Sequence, residues 1–63
     1  MTQKELSYLE DAIGHETNIA KICEENIKNL SDESLITFME NELEVHHNLK
    51  KRLLNVLEDK TNE

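Results

Sequence analysis

Proline, glycine and cysteine, which most often interrupt or cross-link a small domain, are almost missing from this sequence. There is no proline and one glycine, Gly14, so few positions are suited to end a helix. Sustained period-2 alternation and Asn-Gly or Asp-Gly turns are also missing, which argues against strands. The single Cys23 excludes a disulfide within the monomer. One cysteine and three histidines also lack the paired spacing of a zinc knuckle.

Basic residues are scarce as well. The 63 residues carry 14 acidic and 7 basic side chains, which gives a formal net charge of −7. This balance argues against nucleic acid and against anionic membrane surfaces as partners, because both require a basic patch. No apolar run approaches the roughly 18 residues of a membrane span, and no signal peptide is recognisable. We therefore expect a soluble protein of the reducing cytoplasm.

What the sequence does contain is a helical repeat of apolar residues. Two series of positions are spaced alternately three and four residues apart, and each predicts the inward-facing seam of one helix. The first seam is Leu6, Leu9, Ile13, Glu16, Ala20, Cys23, Ile27 and Leu30, and the second is Ile36, Met39, Leu43, His46, Lys50, Leu53 and Leu57. Other apolar residues widen both seams: Ala12, Ile19 and Ile22, then Leu35, Phe38, Leu49, Leu54 and Val56. A stripe this wide suits a helical bundle better than a two-stranded coiled coil.

The ends of the helices can also be predicted. Thr2 and Glu5 have the spacing of a capping box, and Ser31 is a suitable N-cap for a second helix. We predict a single helical-hairpin domain over 1–63, with helices over about residues 3–29 and 32–59. The short connection between them requires an antiparallel hairpin.

A hairpin of this size leaves apolar surface without a partner. Chains below roughly 70 residues usually add disulfides, metals or oligomerisation to a core of this size. Because disulfides are excluded here, we expect symmetric dimerisation into a four-helix bundle, an all-α fold.

Three of the seam positions are strongly polar: Glu16, His46 and Lys50. In an antiparallel hairpin that turns near residues 30–31, residues whose numbers sum to about 61–62 lie at the same level. Glu16 and His46 therefore meet in one layer of the core. Glu42 lies one turn before His46 on the same side of the second helix, and Lys50 lies one turn after it.

This layer has two interpretations. The favoured one is a buried structural network, in which Glu16 accepts a hydrogen bond from His46 or pairs with Lys50. Such a layer sets register and oligomeric state more than it adds stability. The alternative is a metal site of Glu16, Glu42 and His46, whose ligand types suit iron, manganese or zinc.

Other residues with a possible chemical role have a plainer interpretation. Glu44 and His47 have the E-x-x-H spacing of di-iron carboxylate bundles, but the helical wheel turns both away from the seam, so we expect them to face solvent. Cys23 on the seam is expected to be a buried small hydrophobe, and His15 to be partly exposed. The sequence does not indicate a Ser/His/Asp or Cys/His arrangement for nucleophilic catalysis, and we expect no enzymatic activity.

The stretch 6–16 (LSYLEDAIGHE), Cys23, the stretch 42–46 (ELEVH) and the pair Leu53–Leu54 resemble short ferritin-like proteins, and more narrowly the Coat F (spore coat protein F-like) family. This resemblance implies a helical bundle assembled from hairpins and a place in or around the spore coat. It also implies that Glu16 and His46 correspond to the polar core pair of the family. The inward spacing from Glu42 to His46 is one residue longer than the E-x-x-H of ferritin-like iron proteins, which argues against oxidase or iron-storage chemistry.

Three hypotheses of function follow. The first is a small, non-enzymatic structural or assembly protein, spore-coat-like, that acts as a homo-oligomer, most simply a dimer, with other coat proteins as possible partners. The second is a metal-binding ferritin-like half-bundle. The third is an acidic regulator that lays one helix face on a protein partner.

Overall fold

The computed structural model describes residues 1–61 as two antiparallel α-helices. α1 spans Gln3–Asn29 and α2 spans Glu33–Thr61, against about 3–29 and 32–59 in the prediction. No strand occurs in residues 1–61. The all-α helical hairpin expected from the heptad spacing is confirmed. Neither described helix has a stretch that is long and apolar enough to cross a membrane.

The predicted capping box at the start of α1 is confirmed. The Thr2 hydroxyl accepts a hydrogen bond from the Glu5 backbone N–H at 3.1 Å, and the Thr2 backbone N–H donates to Glu5 Oε1 at 2.8 Å. Two of the N–H groups that a helix start leaves without a partner are thereby satisfied.

The prediction that Ser31 caps α2 is wrong by one residue. Asp32 Oδ1 accepts hydrogen bonds from the backbone N–H groups of Ser34, at 2.9 Å, and Leu35, at 3.2 Å, and from the Ser34 hydroxyl at 2.6 Å. A carboxylate at this position accepts several bonds at once and also interacts favourably with the positive end of the helix dipole. The Ser31 hydroxyl carries no negative charge, so it would interact less favourably with the helix dipole.

The two predicted seams form the contact between the helices. All fifteen seam positions are buried or half-buried in the structure. Only Ala20 and Cys23, at 6% and 5% exposure, are buried among the residues described, and the other seam positions are half-buried. Both are small, so no large apolar side chain in 1–61 is completely removed from water.

The hairpin is long and thin. Its Cα atoms span 47 × 15 × 11 Å, and their radius of gyration is 14.6 Å, whereas a compact domain of this length would have about 11 Å. The chain exposes 4976 Å², against about 4200 Å² for a typical folded monomer of its mass. The excess of about 800 Å² is surface that the two helices do not cover for each other.

Candidate functional site

The polar layer predicted inside the seam is built around a direct contact between α1 and α2. Glu16 Oε2 lies 2.5 Å from His46 Nδ1, and the two side chains are 12% and 23% exposed. Each residue occupies a seam position on its own helix, so the packing of the apolar positions above and below brings them face to face. A carboxylate this poorly hydrated requires a hydrogen-bond donor, and the imidazole supplies it.

Glu42 completes the layer from the other side of the ring. Its Oε2 lies 3.7 Å from His46 Nε2, one helical turn back along α2, and its side chain is 42% exposed. The imidazole therefore lies between two carboxylates, one at each ring nitrogen. A neutral imidazole has one N–H and the protonated ring has two. The ring can serve both carboxylates as a donor only when it is protonated.

This arrangement differs from that of a metal centre. The two nitrogens of an imidazole point away from each other, so a cation bound at one nitrogen would be near only one of the carboxylates. No group of three or more His, Cys, Asp or Glu residues in the described part of the chain is placed to hold a metal ion. The geometry of the layer is one hydrogen bond, between Glu16 and His46, with Glu42 at ion-pair distance from the same ring, and the role of these residues as ligands for iron, manganese or zinc stays a prediction.

Lys50 is not brought into the layer. It is half-buried one turn beyond His46, and its ammonium group forms no hydrogen bond or ion pair with any residue in 1–61. The flexible four-carbon stem of lysine allows the ammonium group to reach water while the stem remains on the seam. Among residues 1–61, two carboxylates therefore lie beside one imidazole, and no Lys or Arg side chain forms an ion pair with either of them.

The remaining residues with possible chemistry lie outside this layer. Glu44 and His47 are exposed, as predicted from the helical wheel, and His47 Nε2 lies 3.7 Å from Glu24 Oε1. His15 is exposed, and Cys23 is a buried free thiol, as expected for a small apolar core residue.

The feature that the sequence interpretation missed is the asymmetry of the apolar flanks. Two grooves run beside the seam on one side of the hairpin, one near the chain termini and one near the turn. The first is lined by Met1, Glu5, Tyr8, Leu9, Ala12, Val56 and Lys60, and the second by Asn26, Asn29, Leu30, Leu35, Phe38 and Met39. Both combine the same flank of α1 with the same flank of α2.

Steps of seven residues along each helix extend these groove positions along one side of the hairpin, because seven residues are almost two full turns. This side also carries seven polar residues, which are Glu5, His15, Asn26, Asn29, Glu42, Arg52 and Asp59. We call the set of apolar residues on this side the apolar face. It consists of Tyr8, Ala12, Ile19 and Ile22 from α1 and Leu35, Phe38, Val45, Leu49 and Val56 from α2. All but Ala12 and Ile19 are among the exposed large apolar residues. The seven-residue spacing that reveals this face is already present in the sequence.

The opposite side of the hairpin is polar. By the same steps of seven it carries Ser7, Glu10, Gly14, Thr17, Lys21, Glu24 and Lys28 from α1 and Thr37, Glu40, Glu44, His47, Lys51, Leu54 and Glu58 from α2. Leu54 is the only large apolar residue in this set. The hairpin thus has one face suited to water and one suited to a protein partner.

Comparison of the chain with protein-family models, with curated proteins and with solved structures finds no match.

Proposed function

We propose that this chain is a small, non-enzymatic assembly protein that acts as a homo-oligomeric helical bundle, in which two hairpins bury their apolar faces against each other. The single observation that carries the proposal is the apolar face itself. Most of the apolar flank residues lie on one side of the hairpin, and the other side is polar. A lone hairpin would keep this face in water, whereas a dimer removes it.

The size of the face supports a dimer. With Cα extents of 47 Å along the helices and 15 Å across them, one side of the hairpin measures about 700 Å² in projection. A standard stable interface buries about 800 Å² on each partner. The surface available for self-association is therefore of the size that a specific interface needs.

Two leucines of α2 provide a matched test. Leu49 lies on the apolar face and Leu54 on the polar side, and their exposures are similar, 37% and 43%. L49K places a charge in the proposed interface, so we expect it to convert the dimer to a monomer in sedimentation experiments. L54K changes the net charge equally and should leave the dimer intact. Equal behaviour of the two variants would contradict the proposal.

The association with spore coats rests on the resemblance of the sequence to the Coat F family, and the bundle architecture is compatible with it. Proteomic analysis of purified spores tests this part of the proposal separately. We expect the chain in the coat fraction and not in the core fraction. Its absence from the coat would remove the coat assignment and leave the bundle proposal intact.

A metal-binding half-bundle is the second candidate, because Glu16 and Glu42 lie 2.5 Å and 3.7 Å from the His46 ring, although they lie at opposite ring nitrogens. Elemental analysis of protein purified without a His-tag separates the two functions. The assembly proposal expects less than one iron, manganese or zinc ion per dimer. Stoichiometric metal that is lost in E16Q would support the second candidate.

A further inference from the structure

The polar positions of the apolar face indicate how two hairpins are arranged. On α2 the face continues a regular stripe with alternate spacings of three and four residues. The stripe is Leu35, Phe38, Glu42, Val45, Leu49, Arg52, Val56 and Asp59. Its members are all exposed except Glu42, which is half-buried. Two of its inner positions are charged, with opposite signs, and both are otherwise flanked by apolar residues.

Glu42 and Arg52 cannot pair within one chain. They are ten residues apart, which is about 15 Å along a helix, and the Arg52 guanidinium group forms no hydrogen bond or ion pair with residues 1–61. Glu42 meanwhile shares the His46 ring with Glu16. The layer thus holds two carboxylates and one imidazole, and no Lys or Arg side chain of residues 1–61 forms an ion pair with them.

We propose that the occupant of the apolar face is a second copy of this chain, packed with its α2 antiparallel to the first α2, and that the partner's Arg52 completes the Glu16–His46–Glu42 layer. This inference rests on the proposed function. An antiparallel pair of α2 helices overlaps all eight stripe positions in only one register, with the two-fold axis near residue 47. That register places Val45 opposite the partner's Leu49, Phe38 opposite the partner's Val56, and Glu42 opposite the partner's Arg52.

Other arrangements lose this complementarity. The two-fold axis could instead cross α2 further along, between residues 49 and 52, but Glu42 would then lie opposite the partner's Asp59. If the axis crossed α2 between residues 42 and 45, Val56 would have no stripe residue opposite it. A dimer whose two-fold axis runs along the helices places α2 against the partner's α1. In that dimer Glu42 lies near the level of the partner's Ile19, and no charge pair forms. The complementarity of charge therefore selects both the orientation and the register.

Reciprocal charge reversal tests this assignment. E42R gives a subunit with arginine at both positions, and R52E gives one with glutamate at both. Each homodimer then contains two like-charge contacts in place of two ion pairs. We expect its dissociation constant to rise about tenfold or more. An equimolar mixture restores two opposite-charge contacts, so we expect a heterodimer in native mass spectrometry with a dissociation constant near that of the wild type. The double variant E42R/R52E should recover likewise.

Two reversals on the polar side serve as controls. E44R and K51E change the net charge by the same amounts and lie on α2 next to the tested positions. We expect both to dimerise like the wild type. Circular dichroism of each variant confirms that the helices remain formed, and the recovery in the mixture does not depend on how well either variant folds alone.

The outcomes separate this inference from the proposed function. A wild-type chain that is monomeric at all concentrations overturns both. A wild-type dimer in which E42R and R52E associate as tightly as their controls, or in which the mixture shows no preference for the heterodimer, overturns the antiparallel α2 pairing and leaves the dimer standing.

Discussion

At the scale of single residues, the chain depends on a few side chains placed where the heptad pattern is broken. His46 is the donor that compensates the poorly hydrated Glu16 carboxylate. A neighbouring histidine on the same helix, His47, is exposed and contacts only the exposed Glu24, at 3.7 Å. The two histidines therefore differ in environment although they are adjacent in sequence, and they form a natural pair for comparison.

H46A should destabilise the protein by about 1–3 kcal/mol, because Glu16 is then left without a hydrogen-bond donor in a mostly buried position. H47A removes an exposed side chain and should change the free energy of unfolding by no more than about 0.5 kcal/mol. Urea unfolding at one protein concentration measures both, since a dimer's stability depends on concentration. Equal effects of the two substitutions would show that the Glu16–His46 contact has no special energetic role.

Gly14 is the only glycine in the chain and lies inside α1. A Cβ at this position would meet no atom within 4 Å. G14A should therefore stabilise the protein by about 0.5–1 kcal/mol, because alanine restricts the unfolded chain without a clash in the folded one. Thermal unfolding measures the gain. A loss of stability, or a change in oligomeric mass, would contradict the placement of Gly14 on a side of the hairpin that no partner covers.

The sequence predicted residue positions better than side-chain conformations. In an antiparallel hairpin, the position of the turn determines which residues of the two helices lie at the same level. This backbone geometry alone placed Glu16 beside His46. It also suggested Lys50 as a partner, and the structure does not bring Lys50 into contact. A seam position determines where the lysine Cα lies, whereas the four-carbon side chain is free to reach solvent.

At the scale of the helices, the caps determine where α2 begins, and the flanks determine which side of the hairpin is apolar. Ser31 and Asp32 are both good N-cap residues, so the sequence could not distinguish two adjacent starts for α2. The flanks could have been resolved from the sequence. On each helix, apolar residues recur every seven positions on one flank of the seam. In an antiparallel hairpin these two flanks lie on the same side of the molecule. Leu54 is the exception that falls on the other side.

The two caps also give the protein a dependence on acid pH. The Thr2 backbone N–H lowers the pKa of Glu5 below its ordinary value of 4.5. The Ser34 hydroxyl, followed by the backbone N–H groups of Leu35 and Ser34, lowers the pKa of Asp32 below 3.8. Both carboxylates hold protons less tightly in the folded chain than in the unfolded one. The stability they contribute is therefore present above these ordinary values and is lost as the pH falls through the lowered ones.

We expect the free energy of unfolding to decrease as the pH is lowered below 4.5 and further below 3.8. D32N retains an oxygen that accepts the capping bonds but does not titrate, so its stability should fall less steeply with acid than that of the wild type. S31A, which alters the neighbouring residue outside the cap, should keep the wild-type slope. Parallel curves for D32N and the wild type would show that Asp32 does not contribute to the acid response.

At the scale of the whole molecule, the hairpin is an incomplete core. Two helices of this length contact each other along one seam, and the only buried residues among those described are Ala20 and Cys23. The apolar area that stabilises most domains is here concentrated on an outer face. In the proposed dimer, a second copy with the same face would supply the missing contacts, and the two polar layers would lie inside one bundle. Heptad spacing alone could not choose the partner, because it describes one chain at a time.

The most direct test of this account is the mass of the wild-type chain by sedimentation equilibrium over a range of concentrations, with helicity measured on the same samples. The subunit mass is 7.4 kDa, and we predict a folded, helical species of twice that value. A fully helical, stably folded species at the subunit mass would contradict the account, because the apolar face would then remain in water without loss of structure.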